Sequence, residues 1–256
     1  MKLHCREYGS GQPLIILHGL FGSSDNWQSF AKKLSVHFHV YLVDQRNHGR
    51  SGHALDHNYE LMSDDLDEFI QEKELEDIIL MGHSMGGKTA MTYAQLDDTR
   101  LSKLIVVDIA PKSYPMHHEV ILEGLNAIDL NVCRTRKSCD DRLSDYISEP
   151  ILRQFLLKNL YWEEKDRLEW RFNLNTLTRD IENMLEGLPS DEVSIPTLFI
   201  RGDQSNYIME SDYSSILNQF NQSEIVTVEG AGHWVHAEAP DDFYELVGKF
   251  IDHPQI

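Results

Sequence analysis

Cysteine, basic residues and long apolar runs are all scarce in this 256-residue chain. The three cysteines, Cys5, Cys133 and Cys139, form no C-x-x-C pair, so they predict neither a disulfide framework nor a zinc knuckle. No apolar run reaches the roughly 20 residues of a membrane helix, and the residues after Met1 lack the apolar segment of a signal peptide. These absences predict a cytoplasmic protein without a membrane partner.

The shortage of positive charge excludes another class of partner. The chain has 23 Lys and Arg against 42 Asp and Glu, which gives a formal net charge of −19. Such a charge repels polyphosphate backbones and anionic lipid surfaces. The composition therefore argues against nucleic-acid binding, and it favours neutral substrates over highly anionic ones such as coenzyme A thioesters.

Six short, β-branched runs bounded by Gly or Asp predict buried strands. They lie at residues 14–17, 40–43, 78–81, 104–107, 197–200 and 225–228. Apolar residues at helical spacing lie between most of them, and an amphipathic helix is predicted from Pro240 onward. Parallel strands need such crossover connections, so the pattern predicts an α/β fold with a mostly parallel sheet and helices on both faces.

One long stretch interrupts this alternation. Residues 111–195 contain no convincing buried strand, but they contain several helix-like patterns rich in leucine and aromatic residues. A connection of this length in an α/β domain is commonly a functional lid. We therefore predict an α/β core of residues 1–110 and 196–256, with residues 111–195 inserted as a helical cap.

The segment GHSMGGKT at residues 82–89 follows a predicted strand and fits two motifs. Read as G-x-S-x-G, it is a nucleophile elbow, in which a tight strand-to-helix turn exposes the Ser84 hydroxyl. Read as G-x-x-x-x-G-K-T, it is a phosphate-binding loop, in which Lys88 contacts phosphates and Thr89 binds magnesium. The two readings predict different chemistry, so other parts of the chain must decide between them.

Two glycine-containing loops favour the nucleophile elbow. The loop HGLFG at residues 18–22 follows the first predicted strand and can present a backbone N–H as half of an oxyanion hole. The loop GAGHW at residues 230–234 follows the last strand and returns His233 to the carboxyl edge of the sheet, where it can deprotonate Ser84. His236 is a second candidate base, but the glycines precede His233.

The acid that would orient His233 is Asp108 or Asp203 on the sequence alone. Asp108 ends a strand predicted next to that of the elbow, and the turn that follows it points toward the carboxyl edge. Many serine hydrolases carry the acid after the penultimate strand in a G-x-x-D context. Here the acid's slot holds Ser205, and Asp203 comes two residues early. The pattern favours Asp108 and leaves Asp203 as the alternative.

Five motifs resemble those of the YbfF-type esterases of the α/β-hydrolase superfamily. They are I-x-LHGLFG at 15–22, D-x-RNHG-x-S at 44–51, GHSMGGK at 82–88, VDIAP at 107–111 and GAGHWVHAE at 230–238. The resemblance implies an α/β-hydrolase fold and the hydrolysis of carboxylic esters, with acyl thioesters among the candidate substrates, and it implies no cofactor. In that family the acid follows the sixth strand, which agrees with Asp108.

The predicted mechanism is acyl transfer through Ser84. His233 takes the serine proton, Asp108 holds His233, and the backbone N–H groups of Leu20 and Met85 bind the oxyanion. The predicted substrate is a small ester with a short-to-medium acyl group, and the predicted enzyme is a monomer or homodimer without a metal ion. A P-loop nucleotide hydrolase and a slow-turnover small-molecule receptor with the same pocket stay open as alternatives.

Overall fold

The computed structural model describes residues 1–165 and 167–252, and it has an α/β architecture built on a seven-stranded sheet. The sheet contains β1 (His4–Tyr8), β2 (Gln12–Leu17), β3 (Phe38–Asp44), β4 (Ile78–His83), β5 (Leu101–Val107), β8 (Thr197–Gly202) and β9 (Ser223–Val228). The two strands β6 (Leu160–Glu164) and β7 (Arg167–Trp170) form a separate hairpin. The sheet order is β1-β3-β2-β4-β5-β8-β9, and every pairing is parallel except that of β1 with β3. The predicted fold class is therefore confirmed, and all six predicted strands are present.

Helices connect the strands and cover both faces of the sheet. They are α1 (Gln28–Leu34), α2 (Tyr59–Glu72), α3 (Met85–Leu96), α4 (Glu119–Asn126), α5 (Arg136–Leu143), α6 (Pro150–Leu157), α7 (Leu174–Arg179), α8 (Ile181–Leu185), α9 (Tyr213–Gln219), α10 (Val235–Glu238) and α11 (Pro240–Asp252), with short 3-10 turns at Ser24–Asn26 and Glu210–Asp212. None of the helices in the described part of the chain is both long and apolar enough to cross a lipid bilayer.

The central strands read as continuous apolar runs because both faces of the sheet are buried. In β2, Ile15 and Leu17 face a core that includes Phe69 of α2 and Met91 of α3. The alternate residues Leu14 and Ile16 face the opposite core, which includes Phe243 of α11. Burial of these side chains contributes about 1.5–3 kcal/mol each, which is the main force that holds the carboxyl edge of the sheet in place.

The insertion (residues 111–195) contains α4 to α8 and the hairpin β6–β7. Its own apolar cluster is continuous with Phe21, Met62 and Met85 of the α/β part of the chain. The two connecting segments lie side by side, because the Tyr114 N–H donates to the Leu185 carbonyl and the Leu188 N–H donates to the Pro111 carbonyl, both at 2.8 Å. These bonds fix where the insertion leaves and rejoins the sheet.

Three strands, β1, β6 and β7, are not predicted by the sequence patterns, and the physical reason is the same for each. The edge strand β1 pairs on one side only and is mostly half-buried, so it carries no apolar run. The hairpin lies within residues 111–195, where the sequence argued only against a buried strand; Leu160 and Leu168 are buried, but most of the other hairpin residues are polar and exposed or half-buried. Strands with one wet side and few apolar residues give no run to detect.

Six histidines have a depressed pKa because burial disfavours the charged imidazole. They are His18, His48, His57, His83, His118 and His236. His57 is the clearest structural case: its side chain is fully buried, its Nε2 has no hydrogen-bond partner, and its pKa is lowered to about 4. The folded protein therefore holds His57 neutral at pH values where the unfolded chain protonates it.

We expect His57→Gln to reduce the loss of stability on acidification. Below its unfolded-state pKa of about 6.5, His57 binds a proton in the unfolded chain but not in the folded protein. The free energy of unfolding therefore decreases as the pH falls from about 6.5 toward the folded-state pKa. At about 1.4 kcal/mol per pH unit, the loss for wild-type His57 between pH 6.5 and pH 5 is about 2 kcal/mol. Urea unfolding of wild type, His57→Gln and the exposed-site control His37→Gln at pH 8 and pH 5 measures the difference; equal pH dependence in all three would contradict the assignment.

Candidate active site

Ser84 occupies a tight strand-to-helix turn at the carboxyl edge of the sheet. It lies between the end of β4 and the start of α3, and its backbone has φ 53° and ψ −120°. The turn is possible because its flanking residues are small: a Cβ on Gly82 would lie 2.1 Å from the Gly86 carbonyl oxygen, and one on Gly86 would lie 2.5 Å from that of Leu17. A positive φ at a residue other than glycine costs about 1–3 kcal/mol and clusters at functional sites.

Asp108 is fully buried directly after β5, and it also has a positive φ of 50°. Its Oδ2 accepts a hydrogen bond from His233 Nδ1 at 2.7 Å, and its Oδ1 accepts one from the Gly202 N–H at 3.2 Å. A neutral imidazole that donates from Nδ1 leaves Nε2 as an acceptor, which is the tautomer that a general base requires. The structure therefore brings together Asp108 and His233, which lie 125 residues apart in the chain.

The other candidate acid and base make different contacts. Asp203 is exposed, and its backbone N–H bonds to the Val228 carbonyl. The His236 ring stacks on Trp27 with 3.9 Å between centroids, and burial lowers the pKa of His236 to about 3. The imidazole that bonds to the Asp108 carboxylate is that of His233.

Ser205 is a site residue that sequence reasoning noticed but did not use. Its buried hydroxyl donates to Asp108 Oδ2, the same oxygen that accepts from His233. The residue occupies the slot where the acid was expected after the penultimate strand. The G-x-x-S spacing at residues 202–205 is therefore the sequence signal for this contact. It puts Ser205 where many serine hydrolases carry the acid, and from that position Ser205 contacts the Asp108 carboxylate.

Aromatic and histidine side chains surround the His233 imidazole. The ring of Tyr207 stacks on it with 4.0 Å between centroids, and burial raises the pKa of Tyr207 to about 12. His83 Nε2 donates to the His233 carbonyl at 2.9 Å, while burial keeps the pKa of His83 well below its usual range. His83 is therefore a neutral packing and hydrogen-bonding group beside Ser84.

The loop of residues 18–22 lies directly against the elbow. A Cβ on Gly19 would lie 3.2 Å from the Cβ of Ser84, and the Gly22 N–H bonds to the Gly19 carbonyl at 2.9 Å to close a turn. Leu20 lies within this turn and lines the cavity beside Ser84. Met85 is the first residue of α3, where backbone N–H groups have no partner inside the helix. The two backbone groups predicted to bind an oxyanion thus come from the two segments that meet at Ser84.

A cavity of about 190 Å³ contains Ser84 and His233 in its lining. The α/β part of the chain contributes Leu20, Phe21, Trp27 and Trp234 among others, and the insertion contributes His117, His118, Ile121, Leu152, Phe155 and Leu156. The aromatic residues Tyr161 and Trp162 of the insertion do not belong to this lining, because both lie on the hairpin, where Trp162 is 52% exposed. Within residues 111–195, the lining thus comes from α4, α6 and the segment before α4.

Lys88 and Thr89 are both engaged by the protein itself. The Lys88 ammonium is fully buried, donates to the Glu186 carbonyl and lies over the rings of Tyr59 and Tyr114. Burial lowers the pKa of Lys88 to about 8. The Thr89 hydroxyl donates to the Met85 carbonyl at 3.1 Å. Lys88 thus connects α3 to the segment after α8, and the Thr89 hydroxyl bonds within α3. These contacts do not support a phosphate-binding loop.

Residues 12–134 match the model of a family described as the alpha/beta hydrolase fold. The sheet order, the turn at Ser84 and the loops around it agree with that description. The chain belongs to the α/β-hydrolase family.

Named relatives narrow the class further. The chain is 39% identical to the mouse protein sn-1-specific diacylglycerol lipase ABHD11 over 247 residues, covering 93% of this chain and 80% of the mouse protein. It is 34% identical to esterase YbfF of Escherichia coli over 260 residues, covering 98% and 100%. The solved structure of a marine microorganism esterase is 44% identical with a TM-score of 0.95, covering 97% and 99%. The chain is thus a hydrolase of the serine esterase type, and the nucleotide-hydrolase alternative is not supported.

We expect Gly82→Ala to destabilise the protein because its new Cβ meets the backbone of Gly86. Overpacking of this kind costs about 1–3 kcal/mol, and relief of the clash would move Ser84. Gly248→Ala in α11 is the matched control: nothing lies within 4 Å of its new Cβ, so it should stabilise the helix by roughly 0.5–1 kcal/mol. Urea unfolding measures both, and the rate of fluorophosphonate labelling should fall only for Gly82→Ala. Equal stability of the two variants would contradict the tight turn.

Proposed function

We propose that this protein is a serine carboxylesterase that hydrolyses small neutral esters with short acyl groups, using Ser84, His233 and Asp108. The observation that carries the proposal is the 2.7 Å hydrogen bond from His233 Nδ1 to the buried Asp108 carboxylate, at a cavity that Ser84 also lines. Nucleophile, base and orienting acid are the parts that acyl transfer through a serine requires.

The first half of the reaction forms an acyl-enzyme. His233 Nε2 takes the Ser84 hydroxyl proton while Oγ attacks the ester carbonyl carbon, and Asp108 stabilises the imidazolium that results. The negative charge that develops on the carbonyl oxygen is bound by the backbone N–H groups of Leu20 and Met85. Collapse of the tetrahedral intermediate breaks the C–O bond, and the imidazolium gives its proton to the leaving alcohol.

The second half of the reaction releases the acid. His233 takes a proton from water, the hydroxide attacks the acyl carbon of the Ser84 ester, and the same two N–H groups bind the second oxyanion. The imidazolium then returns its proton to Ser84 Oγ. The buried Asp108 carboxylate accepts hydrogen bonds from the Gly202 N–H and from Ser205 as well as from His233, and these bonds hold it in place through both halves of the reaction.

The cavity supports a short, neutral acyl group. Its volume of about 190 Å³ lies below the roughly 300–1,000 Å³ of pockets for drug-sized ligands. Leu152, Phe155 and Leu156 of α6 give its wall an apolar character. The net charge of −19 opposes the approach of coenzyme A thioesters. In this proposal residues 111–195 act as the cap that excludes water, and the enzyme works in the cytoplasm as a monomer or homodimer.

Ser84→Ala should abolish the activity. In serine hydrolases where the catalytic residues act as a unit, removal of the nucleophile costs on the order of 10⁶ in kcat. A panel of p-nitrophenyl esters of increasing chain length, with an acyl-CoA beside it, measures both the loss of activity and the substrate preference. The kcat/KM for the acetate and butyrate esters should exceed that for the laurate ester and the thioester.

The wild-type protein should react with a fluorophosphonate at Ser84. Retention of most esterase activity by Ser84→Ala would contradict the proposal. Fluorophosphonate labelling of the wild-type protein without ester turnover would favour the receptor alternative.

Asp108→Asn and Asp203→Asn should separate the two candidate acids. An amide at position 108 cannot stabilise the imidazolium and favours the wrong tautomer of His233, which costs about 10⁴ in kcat in a comparable triad. Asp203→Asn makes the same chemical change at an exposed position directly after β8, and it should leave kcat within about twofold of wild type. The same ester assay measures both; a large loss in Asp203→Asn alone would reverse the assignment.

A further inference from the structure

Phe21 is a strained residue next to the proposed oxyanion donor. It is the third residue of the turn that the Gly22 N–H closes onto the Gly19 carbonyl, and it has a φ of 58°. A positive φ at this place in a turn is normally supplied by glycine, since a side chain there is disfavoured. The surroundings must therefore hold the Phe21 backbone, and with it the neighbouring Leu20.

Hydrogen bonds hold Phe21 from two directions. Its N–H donates to Nε2 of the buried His48 at 3.2 Å, and its carbonyl accepts from Nδ2 of the buried Asn159 at 2.7 Å. His48 lies in the loop after β3, whereas Asn159 lies in the insertion, between α6 and β6. One residue of the turn is thus bound by both parts of the chain.

The His48 side of this arrangement is rigid. Its Nδ1 donates to the Arg46 carbonyl at 2.9 Å, which leaves Nε2 as the acceptor that the Phe21 N–H needs. Arg46 is itself fixed by a buried ion pair, with 2.6 Å between its Nε and Oδ2 of Asp65. The loop after β3 therefore fixes one end of the Phe21 residue through groups other than Asn159.

The Asn159 side is connected to the wall of the cavity. The same amide nitrogen also donates to the Leu156 carbonyl at the end of α6, at 3.1 Å, and Leu156 lines the cavity. The Phe21 ring packs edge-on against Phe172 of the insertion, with 5.3 Å between centroids. One side-chain amide thus connects the end of α6 to the turn that carries Leu20.

We propose that Asn159 is a positioning residue that couples the seating of the insertion to the geometry of the oxyanion hole, with Phe21 as the link and His48 as the fixed support. The inference rests on the proposed function, because it takes the Leu20 N–H as an oxyanion donor. Asn159 touches no reacting atom. It acts by keeping Phe21 in its strained conformation, so that the Leu20 N–H points at the oxygen only while the insertion is seated.

This role predicts a loss in kcat rather than in KM. Removal of one oxyanion-hole donor costs about 10²–10³ in kcat, and a donor that is displaced but present should cost less. We therefore expect Asn159→Ala to lower kcat about tenfold and to change KM less than about threefold. The affinity for a trifluoromethyl ketone, whose serine adduct carries an oxyanion, should fall by the same factor as kcat/KM.

A matched variant separates positioning from general loosening of the insertion. Asn183 is also an amide of the insertion that donates to a backbone carbonyl outside it, that of His57 at 3.0 Å, but it does not contact the turn of residues 19–22. Asn183→Ala should lower thermal stability to a similar extent while keeping kcat and trifluoromethyl ketone affinity near wild type. Asn159→Asp, which keeps the side-chain size and replaces the donor by an acceptor, is the second test variant and should lose at least as much kcat as Asn159→Ala.

Two results would overturn the inference. One is an unchanged kcat in folded Asn159→Ala and Asn159→Asp, and the other is an equal loss of kcat in Asn183→Ala. Ser84→Ala, assayed beside them, distinguishes this failure from that of the proposed function: an inactive Ser84→Ala with normal Asn159 variants rejects only the coupling, whereas an active Ser84→Ala rejects the esterase mechanism itself.

Discussion

The buried carboxylate of Asp108 is the constraint on which the geometry of the site depends. An ionised group with no exposed surface is costly unless hydrogen bonds replace its water. Three groups from different segments do so: the backbone N–H of Gly202 at the end of β8, the hydroxyl of Ser205 and the imidazole of His233. Each can reach the carboxylate only because β5, β8 and β9 are adjacent in the sheet and their carboxyl ends meet at one edge. The need to satisfy one buried charge therefore fixes the position of the imidazole that faces the cavity.

Backbone strain around the cavity is concentrated in three residues. Phe21, Ser84 and Asp108 all have a positive φ between 50° and 58°. Ser84 and Asp108 directly follow strands, and Phe21 lies in a loop, all at the carboxyl edge of the sheet. The total cost of such conformations is a few kcal/mol. The two apolar cores on either side of the sheet supply much more than this, so the fold tolerates strain where it is useful. The surroundings stabilise each strained position: Gly82 and Gly86 leave room for the turn at Ser84. Hydrogen bonds fix Phe21 and Asp108.

Much of this arrangement follows from local sequence patterns. The six apolar strands, the helix from Pro240 and the turn at Ser84 could be predicted because each depends on residues that are close in the chain. The edge strand β1 and the hairpin β6–β7 could not, since these strands are partly exposed and contain too few apolar residues to form an apolar run. Residues 82–89 show a further limit: the spacing within this segment fits a phosphate-binding loop as well as a nucleophile elbow. The loops at residues 18–22 and 230–234 favour the elbow, and the burial of Lys88 beside Tyr59 and Tyr114 adds an independent argument against phosphate binding.

The amino-acid sequence by itself determined the fold class, the turn that exposes Ser84 and the family of esterases that the chain resembles. These depend on short-range spacing, on small residues at tight turns and on the order of motifs along the chain. Only the tertiary structure decided which carboxylate meets His233, that Ser205 bonds to it, and that Asn159 and His48 hold Phe21. The reason is that these contacts join residues between 27 and 138 positions apart, and a hydrogen bond depends on distance and direction in space rather than on separation in sequence.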